Sequence, residues 1–331
     1  MKKIKNFKKV FVAFLVALSL LITVSAVDSL VPLGHTAGIK LSSRGAMVVS
    51  LATSDADNPC RLAGIGPGDI IRSVDEKEIS GNRDLREIVL KCEGKSLSVE
   101  YQRGEETKKC TITPRLGDNG EYSIGVFIRD SIAGIGTMTY YDPETKSYGA
   151  LGHGVCDGET NSIIPVDHGS LMGSSVREVK QGKSGQPGEL CGDYEAKDEF
   201  ATIEKNTNSG IFGKVKNEES LHIGREAYPV AKKDEIKKGK ATILSNIEGD
   251  GVCEYEIEIT AISKNGEKTK NMMIRAVDPK LLSKTGGIVR GMSGSPIIQN
   301  GKIVGAVTHV LVNDPTRGYA IFIENMLDAA A

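Results

Sequence analysis

A serine in a glycine-rich stretch is the clearest chemical signal in this sequence. Residues 286–297 read Gly-Gly-Ile-Val-Arg-Gly-Met-Ser-Gly-Ser-Pro-Ile, so that Gly291 and Gly294 bracket Met292 and Ser293. Glycine lets the backbone turn sharply, which can expose the serine hydroxyl and direct nearby N–H groups toward one point. A nucleophilic serine needs this setting, because its attack creates an oxyanion that N–H groups must stabilise. The pattern also fits a plain loop that closes a β-hairpin, so the rest of the chain must supply a base.

Two of the five histidines lie in contexts that suit such a base. His153 follows an apolar stretch and has a glycine on either side, and His309 comes directly after the strand-like residues 304–308. The other three histidines lie in polar or turn-like contexts. A histidine at a strand end is often only capped or solvated, so neither position is diagnostic by itself.

The composition is that of a turn-rich globular protein. The chain has 331 residues, which favours two domains, and 39% of them are hydrophobic and 26% charged. It contains 38 glycines and no tryptophan, which favours a β protein over an aromatic-lined ligand pocket. The formal net charge is -1, with no long basic run beyond the N-terminus, so nothing indicates nucleic acid as a partner.

The N-terminus has the pattern of a targeting segment. Five lysines within the first nine residues precede an apolar run over residues 10–27. A positive segment before an apolar one is typical of a signal sequence, and this run is just long enough to span a bilayer. Ser25 and Ala26 match a cleavage site poorly, so we predict an uncleaved signal anchor over residues 1–27. Positive charge stays in the cytoplasm, so the rest of the chain is expected outside the membrane.

The six cysteines fit an extracytoplasmic chain and leave room for one or two disulfides. Their spacing includes no Cys-x-x-Cys pair, so it does not predict a zinc site. We predict neither a metal nor a cofactor.

Residues 36–116 resemble a PDZ domain of the bacterial type. The resemblance depends on Ala-Gly-Ile-Gly-Pro-Gly-Asp-Ile-Ile over residues 63–71, on the strand-like residues after it, and on a helix expected over residues 83–91. It implies a groove that takes an extended peptide by adding it to a sheet edge. Ala37, Gly38 and Ile39 are expected to receive the peptide carboxylate. A PDZ domain that only positions the second domain is the alternative.

Beyond a polar linker over residues 117–122, the pattern is almost entirely β. Short apolar runs such as residues 241–244, 255–262 and 302–308 are separated by turn residues. Regular short strands over residues 123–331 predict a closed pair of barrels or a sandwich. The predicted architecture is therefore mainly β: a membrane anchor, a PDZ domain and a second, larger β domain.

The serine loop and the order of His153 and Ser293 resemble the chymotrypsin arrangement, in which the first barrel gives the histidine and the second the serine. The loop then matches Gly-Asp-Ser-Gly-Gly-Pro, with Ser293 as nucleophile and the N–H groups of Gly291 and Ser293 as the oxyanion hole. His309 shares the second half of the chain with Ser293, so His153 is the predicted base. Met292 replaces the aspartate of that class, so the zymogen salt bridge cannot form here.

Over nearly everything after residue 36, the chain is similar to the sporulation peptidase family of stage IV sporulation protein B. The similarity is carried by residues 128–137, 141–145, 286–302 and 305–310. It implies a membrane-tethered serine endopeptidase with a chymotrypsin-like double β-barrel over residues 123–331. It also implies that the enzyme cleaves a membrane-bound regulator of an intramembrane protease, so that a late mother-cell sigma factor is processed. Its expected location is the forespore intermembrane space.

The family resemblance maps a triad onto His153, Asp278 and Ser293. Asp278 is close to Ser293 for the acid of a two-barrel site, so Asp157 and Asp167 stay open as alternatives.

Two departures from the family leave other functions open. Only about ten residues separate the apolar run from the PDZ-like segment, and Cys156 follows the His153 stretch closely. A divergent paralogue with another spore-envelope substrate is one alternative, and a non-catalytic PDZ scaffold is the other.

Overall fold

The structure is a computed structural model that describes residues 27–331, except for His222, Asn265, Lys268 and the side chains of residues 195–197. The signal anchor predicted over residues 1–27 therefore lies outside the described residues except for its last one. Within the described part of the chain, no helix combines the length and the apolar character needed to cross a membrane.

The described residues form twenty strands. The first ten are β1 Ser29–Pro32, β2 Thr36–Leu51, β3 Ile70–Val74, β4 Lys77–Glu78, β5 Leu97–Arg103, β6 Glu106–Ile112, β7 Arg115–Leu116, β8 Tyr122–Ser123, β9 Val126–Asp142 and β10 Ser147–Ala150. The others are β11 His168–Lys180, β12 Glu189–Thr207, β13 Gly210–Val215, β14 Tyr228–Pro229, β15 Gly239–Ser245, β16 Cys253–Ile262, β17 Met272–Ala276, β18 Pro296–Gln299, β19 Lys302–Leu311 and β20 Asp314–Phe322.

The described helices are short. They are α1 Pro59–Leu62, α2 Asn82–Lys91, α3 Pro279–Thr285 and α4 Ile323–Ala330, with one 3-10 turn at Glu219–Leu221. The helix predicted over residues 83–91 corresponds to α2.

Two closed barrels make up the larger domain. In the first, antiparallel pairing runs from β2 to β9, β10, β13, β12 and β11 and back to β2. In the second, β15, β16, β17, β20, β19 and β18 close in that order. Each barrel has its own buried apolar cluster, which includes Leu41 and Leu171 in the first and Ile243 and Ile274 in the second. The prediction of a mainly β chain with two barrels is confirmed.

The PDZ unit is built on β3, β5 and β6, with the second half of β2 beside β3. Ile70 and Ile71, from the segment that suggested a PDZ domain, are both buried, as are Leu85 and Val89 of α2. Asp69, just before β3, is buried and forms an ion pair with Arg103 at 2.6 Å. Burial of a carboxylate is costly unless it is paired, and this pair meets that requirement.

Two long strands, β2 and β9, pass through both the PDZ unit and the first barrel. Their pairing is interrupted between Ser42 and Met47, where Gly45 has a φ of +100°. A Cβ there would lie 2.4 Å from the carbonyl oxygen of Ile71, so only glycine fits the bend. The PDZ unit therefore begins after Ser42, and residues 36–42 belong to the first barrel, which differs from the predicted boundary at residue 36.

The residues predicted to receive a PDZ peptide are inside this barrel. Ala37, Gly38 and Ile39 pair with β9 on one side and with β11 on the other. All three are buried. A peptide can add only to a strand with an unpaired edge, so the assignment of these residues to peptide binding is wrong.

Two further predictions change in detail. Residues 117–122, predicted as a plain linker, form most of a small hairpin that joins β7 to β8. All six cysteines lie in the described part of the chain and are free thiols there, so no disulfide links them.

Candidate active site

The serine loop has the tight conformation that its glycines allow. Gly291 and Gly294 have φ values of +96° and +99°, a region that residues with a side chain rarely enter. A Cβ on Gly294 would lie 1.9 Å from the carbonyl oxygen of Thr137, which no side chain can tolerate. The loop therefore depends on glycine both for its turn and for its close approach to the first barrel.

The N–H groups of this loop differ in whether they have a hydrogen-bond acceptor. Those of Met292, Gly294 and Ser295 donate to carbonyl groups within the second barrel. Among the residues that the structure describes, the N–H groups of Gly291 and Ser293 have no acceptor. A donor pair beside a serine, left free by the fold, is what stabilisation of an oxyanion requires. The predicted oxyanion hole thus has its donors available, and its role in catalysis stays a prediction.

The two serines of the loop have different surroundings. Ser295 is fully buried, and its hydroxyl donates to that of Ser245 at 3.1 Å. Ser293 is only partly buried, and within the described residues its hydroxyl makes no hydrogen bond. An attacking hydroxyl has to reach a substrate, so Ser293 is the better candidate nucleophile.

Two threonines of β9 hold the serine loop against the first barrel. The N–H of Thr137 donates to the carbonyl oxygen of Ser293 at 3.0 Å, and its hydroxyl donates to that of Gly291 at 2.7 Å. The hydroxyl of Thr139 donates to the carbonyl oxygen of Gly294 at 2.8 Å. Both threonines are fully buried. Sequence reasoning missed them, because a threonine in a β-strand gives no local signal of a contact so distant in the chain.

The segment that carries His153 also contacts Thr137. The N–H of Leu151 donates to the carbonyl oxygen of Thr137 at 3.1 Å, and His153 follows two residues later. A Cβ on Gly294 would also lie 2.6 Å from the Leu151 nitrogen, so the two backbones are in contact. The structure therefore brings the His153 and Ser293 segments together at the junction of the barrels.

The hydrogen bond of His153 indicates its tautomer. Its Nδ1 lies 2.9 Å from the carbonyl oxygen of Gly154. A carbonyl can only accept, so Nδ1 carries the proton and Nε2 keeps the lone pair that a base needs. Burial lowers the pKa of His153 below its usual 6.5, which favours the neutral ring.

His309 lies in the same site. The centroids of its ring and the ring of His153 are 5.1 Å apart, with the ring planes inclined by 39°. Burial, then the nearby His153 and Lys270, lowers the pKa of His309 to about 4. The order of the two barrels predicts His153 as the base, and the structure places His309 against it. The choice of His153 over His309 as base stays a prediction.

Asp278 is engaged elsewhere. Its carboxylate caps α3 by accepting from the N–H groups of Lys280 and Leu281 at 2.8 and 3.0 Å, and it also accepts from the N–H of Glu256 at 3.3 Å. These backbone donors outweigh burial and lower the pKa of Asp278. Within the described residues, no hydrogen bond joins Asp278 to a histidine. Its assignment as the acid of the triad has no contact in support.

The two alternative aspartates, Asp157 and Asp167, have their described polar partners elsewhere. Asp157 is buried, forms an ion pair with Arg129 and accepts from the N–H groups that follow it in a turn. Asp167 lies 3.1 Å from the exposed His168. In the described structure, neither is hydrogen-bonded to His153.

A double β-barrel with a serine loop and a histidine at the junction, preceded by a PDZ unit, defines the class of PDZ-bearing serine peptidases. Residues 120–327 match the family model described as SpoIVB peptidase S55, and residues 20–113 match a PDZ domain model. The first match covers more than half of the chain, so this chain belongs to the SpoIVB peptidase S55 family. It is a serine peptidase, as the sequence predicted.

Three of the solved structures that match this chain do so at low identity and low TM-score. The active form of the Rv3671c protease from M. tuberculosis is 16% identical, over 60% of this chain and 73% of that one, with a TM-score of 0.36. The HtrA-type protease AlgW with a decapeptide is 10% identical, over 91% of this chain and 64% of that one, with a TM-score of 0.35. The PDZ domain of an SdrC-like protein from Listeria monocytogenes is 19% identical, over 27% and 90%, with a TM-score of 0.24. A search of curated proteins found no match.

Proposed function

We propose that this chain is a sporulation signalling endopeptidase in which Ser293 is the nucleophile and His153 the base. The observation that carries the catalytic part is the pair of free N–H groups, on Gly291 and Ser293, beside a serine hydroxyl that makes no hydrogen bond within the described residues. Two donors without a protein acceptor beside a partly exposed serine hydroxyl are available to a substrate oxyanion, which a loop that only closes a hairpin does not require.

The geometry supports the usual two-step acyl transfer. The Ser293 oxygen attacks the peptide carbonyl carbon while its proton passes to Nε2 of His153. The N–H groups of Gly291 and Ser293 stabilise the resulting oxyanion. The imidazolium then gives its proton to the leaving amine, and water hydrolyses the acyl-enzyme by the same route in reverse. Throughout, the carbonyl oxygen of Gly154 accepts from Nδ1 and keeps the ring in the required tautomer.

The proposed substrate is a membrane-bound regulator of an intramembrane protease. Its cleavage leads to processing of a late mother-cell sigma factor. Two observations support this: the family match and the lysine-rich, apolar N-terminus, which suits a chain tethered on the outer side of a membrane. The proposed location is the forespore intermembrane space. The PDZ unit is proposed to bind a peptide C-terminus or strand of a protein partner, at a place other than residues 37–39.

Paired serine variants test the catalytic assignment. Ser293→Ala removes the nucleophile, so we expect casein cleavage to fall by about a million-fold in kcat. Ser295→Ala removes only a buried hydrogen bond to Ser245, which costs about 1 kcal/mol of stability, so activity at 25 °C is expected to stay within about twofold. Loss of activity in Ser295→Ala with retention in Ser293→Ala would show that the nucleophile is misassigned.

Complementation tests the proposed substrate. In a spore-forming strain that lacks its own peptidase of this family, the wild-type chain is expected to restore sigma-factor processing and Ser293→Ala is not. Restoration by both would favour the non-catalytic scaffold. Casein cleavage without restoration by the wild type would favour a paralogue with another spore-envelope substrate.

A further inference from the structure

The strand that completes the serine loop also carries His309. In β19, Val307 accepts from the N–H of Gly294 at 2.8 Å and donates to the carbonyl oxygen of Ser295 at 2.9 Å. His309 follows two residues later on the same strand. Next to it, Thr308 lies close to Gly152, whose added Cβ would be 3.0 Å from the threonine methyl. The position of His309 is therefore fixed by the same backbone that shapes the nucleophile loop.

The partly buried ring of His153 is positioned by a hydrogen bond and by a ring contact. Among the described residues, its ring hydrogen bond is to the carbonyl of the next residue, Gly154, so it moves with the local backbone. Within the same part of the chain, no carboxylate accepts from it. The ring of His309, from another part of the chain, contacts it at a centroid distance of 5.1 Å and an angle of 39°. A ring at this distance restricts rotation of the His153 side chain by direct packing.

The surroundings of His309 keep its ring uncharged at neutral pH. Its neighbour His153 is the proposed base, which becomes positively charged during attack. The titratable groups near it are His153, Lys270 and Glu267, and Tyr319 pairs with it across β20. Lys270 is occupied by a salt bridge to Glu267 at 2.7 Å and lies 5.7 Å from the centre of the Tyr319 ring. With its pKa lowered to about 4, His309 is uncharged at neutral pH. It therefore does not repel the imidazolium that forms on His153 during attack.

We propose that His309 is a positioning residue that packs against His153 and holds its ring with Nε2 directed at Ser293. The proposal rests on the assignment of Ser293 and His153 made above. It gives the site a third member, which comes from β19. His309 transfers no proton, and it acts on the reaction only through His153.

Substitution of His309 tests this in the full chain. His309→Ala leaves the His153 ring free to rotate, and a misplacement of 1 Å can cost about a hundredfold, so we expect kcat on casein to fall about tenfold to a hundredfold with little change in KM. In this variant His153 loses the cover of the His309 ring and is better hydrated, so its pKa is lowered less. The acid midpoint of the kcat/KM profile should therefore rise toward 6.5. His309→Phe keeps a ring at this position and should recover most of the loss. His168→Ala, at an exposed histidine bonded to Asp167, is the matched control and should match the wild type.

The outcomes separate this inference from the function on which it rests. Activity of His309→Ala within about twofold of the wild type, while Ser293→Ala is inactive, would overturn only the role of His309. An unmoved acid midpoint with no recovery in His309→Phe would also overturn it, because a merely structural residue behaves that way. Activity in Ser293→Ala would overturn the catalytic assignment itself. If His309→Ala does not fold, as judged by circular dichroism, His309→Gln provides the same comparison.

Discussion

Thr137 is the residue that joins the two halves of the site. Its N–H, hydroxyl and carbonyl contact Ser293, Gly291 and Leu151, each at 3.1 Å or less. One buried residue thus sets the distance between the segment of the nucleophile and the segment of the base. Rate in such a site depends on geometry at the level of a fraction of an ångström, so a small side chain far from any substrate contact matters for catalysis.

The pH dependence of activity follows from the surroundings of His153. The base must be neutral to accept the serine proton, and burial lowers its pKa below 6.5. Protonation therefore begins only at a lower pH than for a solvated histidine, and activity is lost as the pH falls through the lowered value. We expect kcat/KM on casein to stay constant from pH 8 to about 7 and its acid midpoint to lie below 6.5. A midpoint well above 6.5 would show that His153 is not the titrating base.

Asp278 lies close to Ser293 in sequence because it caps α3, the helix that ends just before the serine loop. Asp278 is the N-cap, Pro279 occupies the first turn, and Gly286 ends the helix with a φ of +74°. An N-cap aspartate, a following proline and a terminal glycine are a local signal of a helix. The next residues, from Gly287, lead directly into the serine loop, so the cap helps to place the start of that loop.

Two substitutions separate capping from catalysis at Asp278. Asparagine caps helices about as well as aspartate, whereas alanine does not, so Asp278→Ala should cost about 1 kcal/mol and Asp278→Asn much less. If capping is its only role, kcat of Asp278→Asn on casein should remain within about twofold. A triad acid changed to asparagine would instead lower kcat by about ten thousandfold. Thermal unfolding and kcat measured on both variants check the two roles together.

The strand β2 gives a second prediction at the scale of elements. A Cβ on Gly38 would lie 2.6 Å from the Cβ of Tyr194, and both edges of the strand are paired. Gly38→Trp should therefore overpack the first barrel, cost about 1–3 kcal/mol of stability and reduce peptidase activity. A peptide groove at this position would predict normal barrel stability and an effect on peptide binding only. Denaturant unfolding, with the wild type as reference, distinguishes the two.

Local and distant features of this molecule differ in how far the sequence could reveal them. The serine loop was predictable because its glycines and the serine lie within a few residues. The PDZ core was predictable for the same reason, since residues 63–71 carry its buried turn and strand. The partners of residues 37–39 come from β9 and β11, about 100 residues or more later, so local pattern could not show that both edges are occupied. The ring contact between His153 and His309 depends on the same kind of long-range pairing.

The whole molecule places the serine loop at the junction of two barrels, the first of which shares strands β2 and β9 with the PDZ unit. The central claim is that the activated serine of this loop is Ser293 and that His153 activates it. Labelling of the full chain with a fluorophosphonate, followed by mass spectrometry of its peptides, tests this directly, because the reagent modifies only an activated serine. We predict a single label on Ser293, with none in Ser293→Ala and greatly slowed labelling in His153→Ala. A label on Ser295, undiminished labelling of His153→Ala, or an unmodified wild-type chain would contradict it.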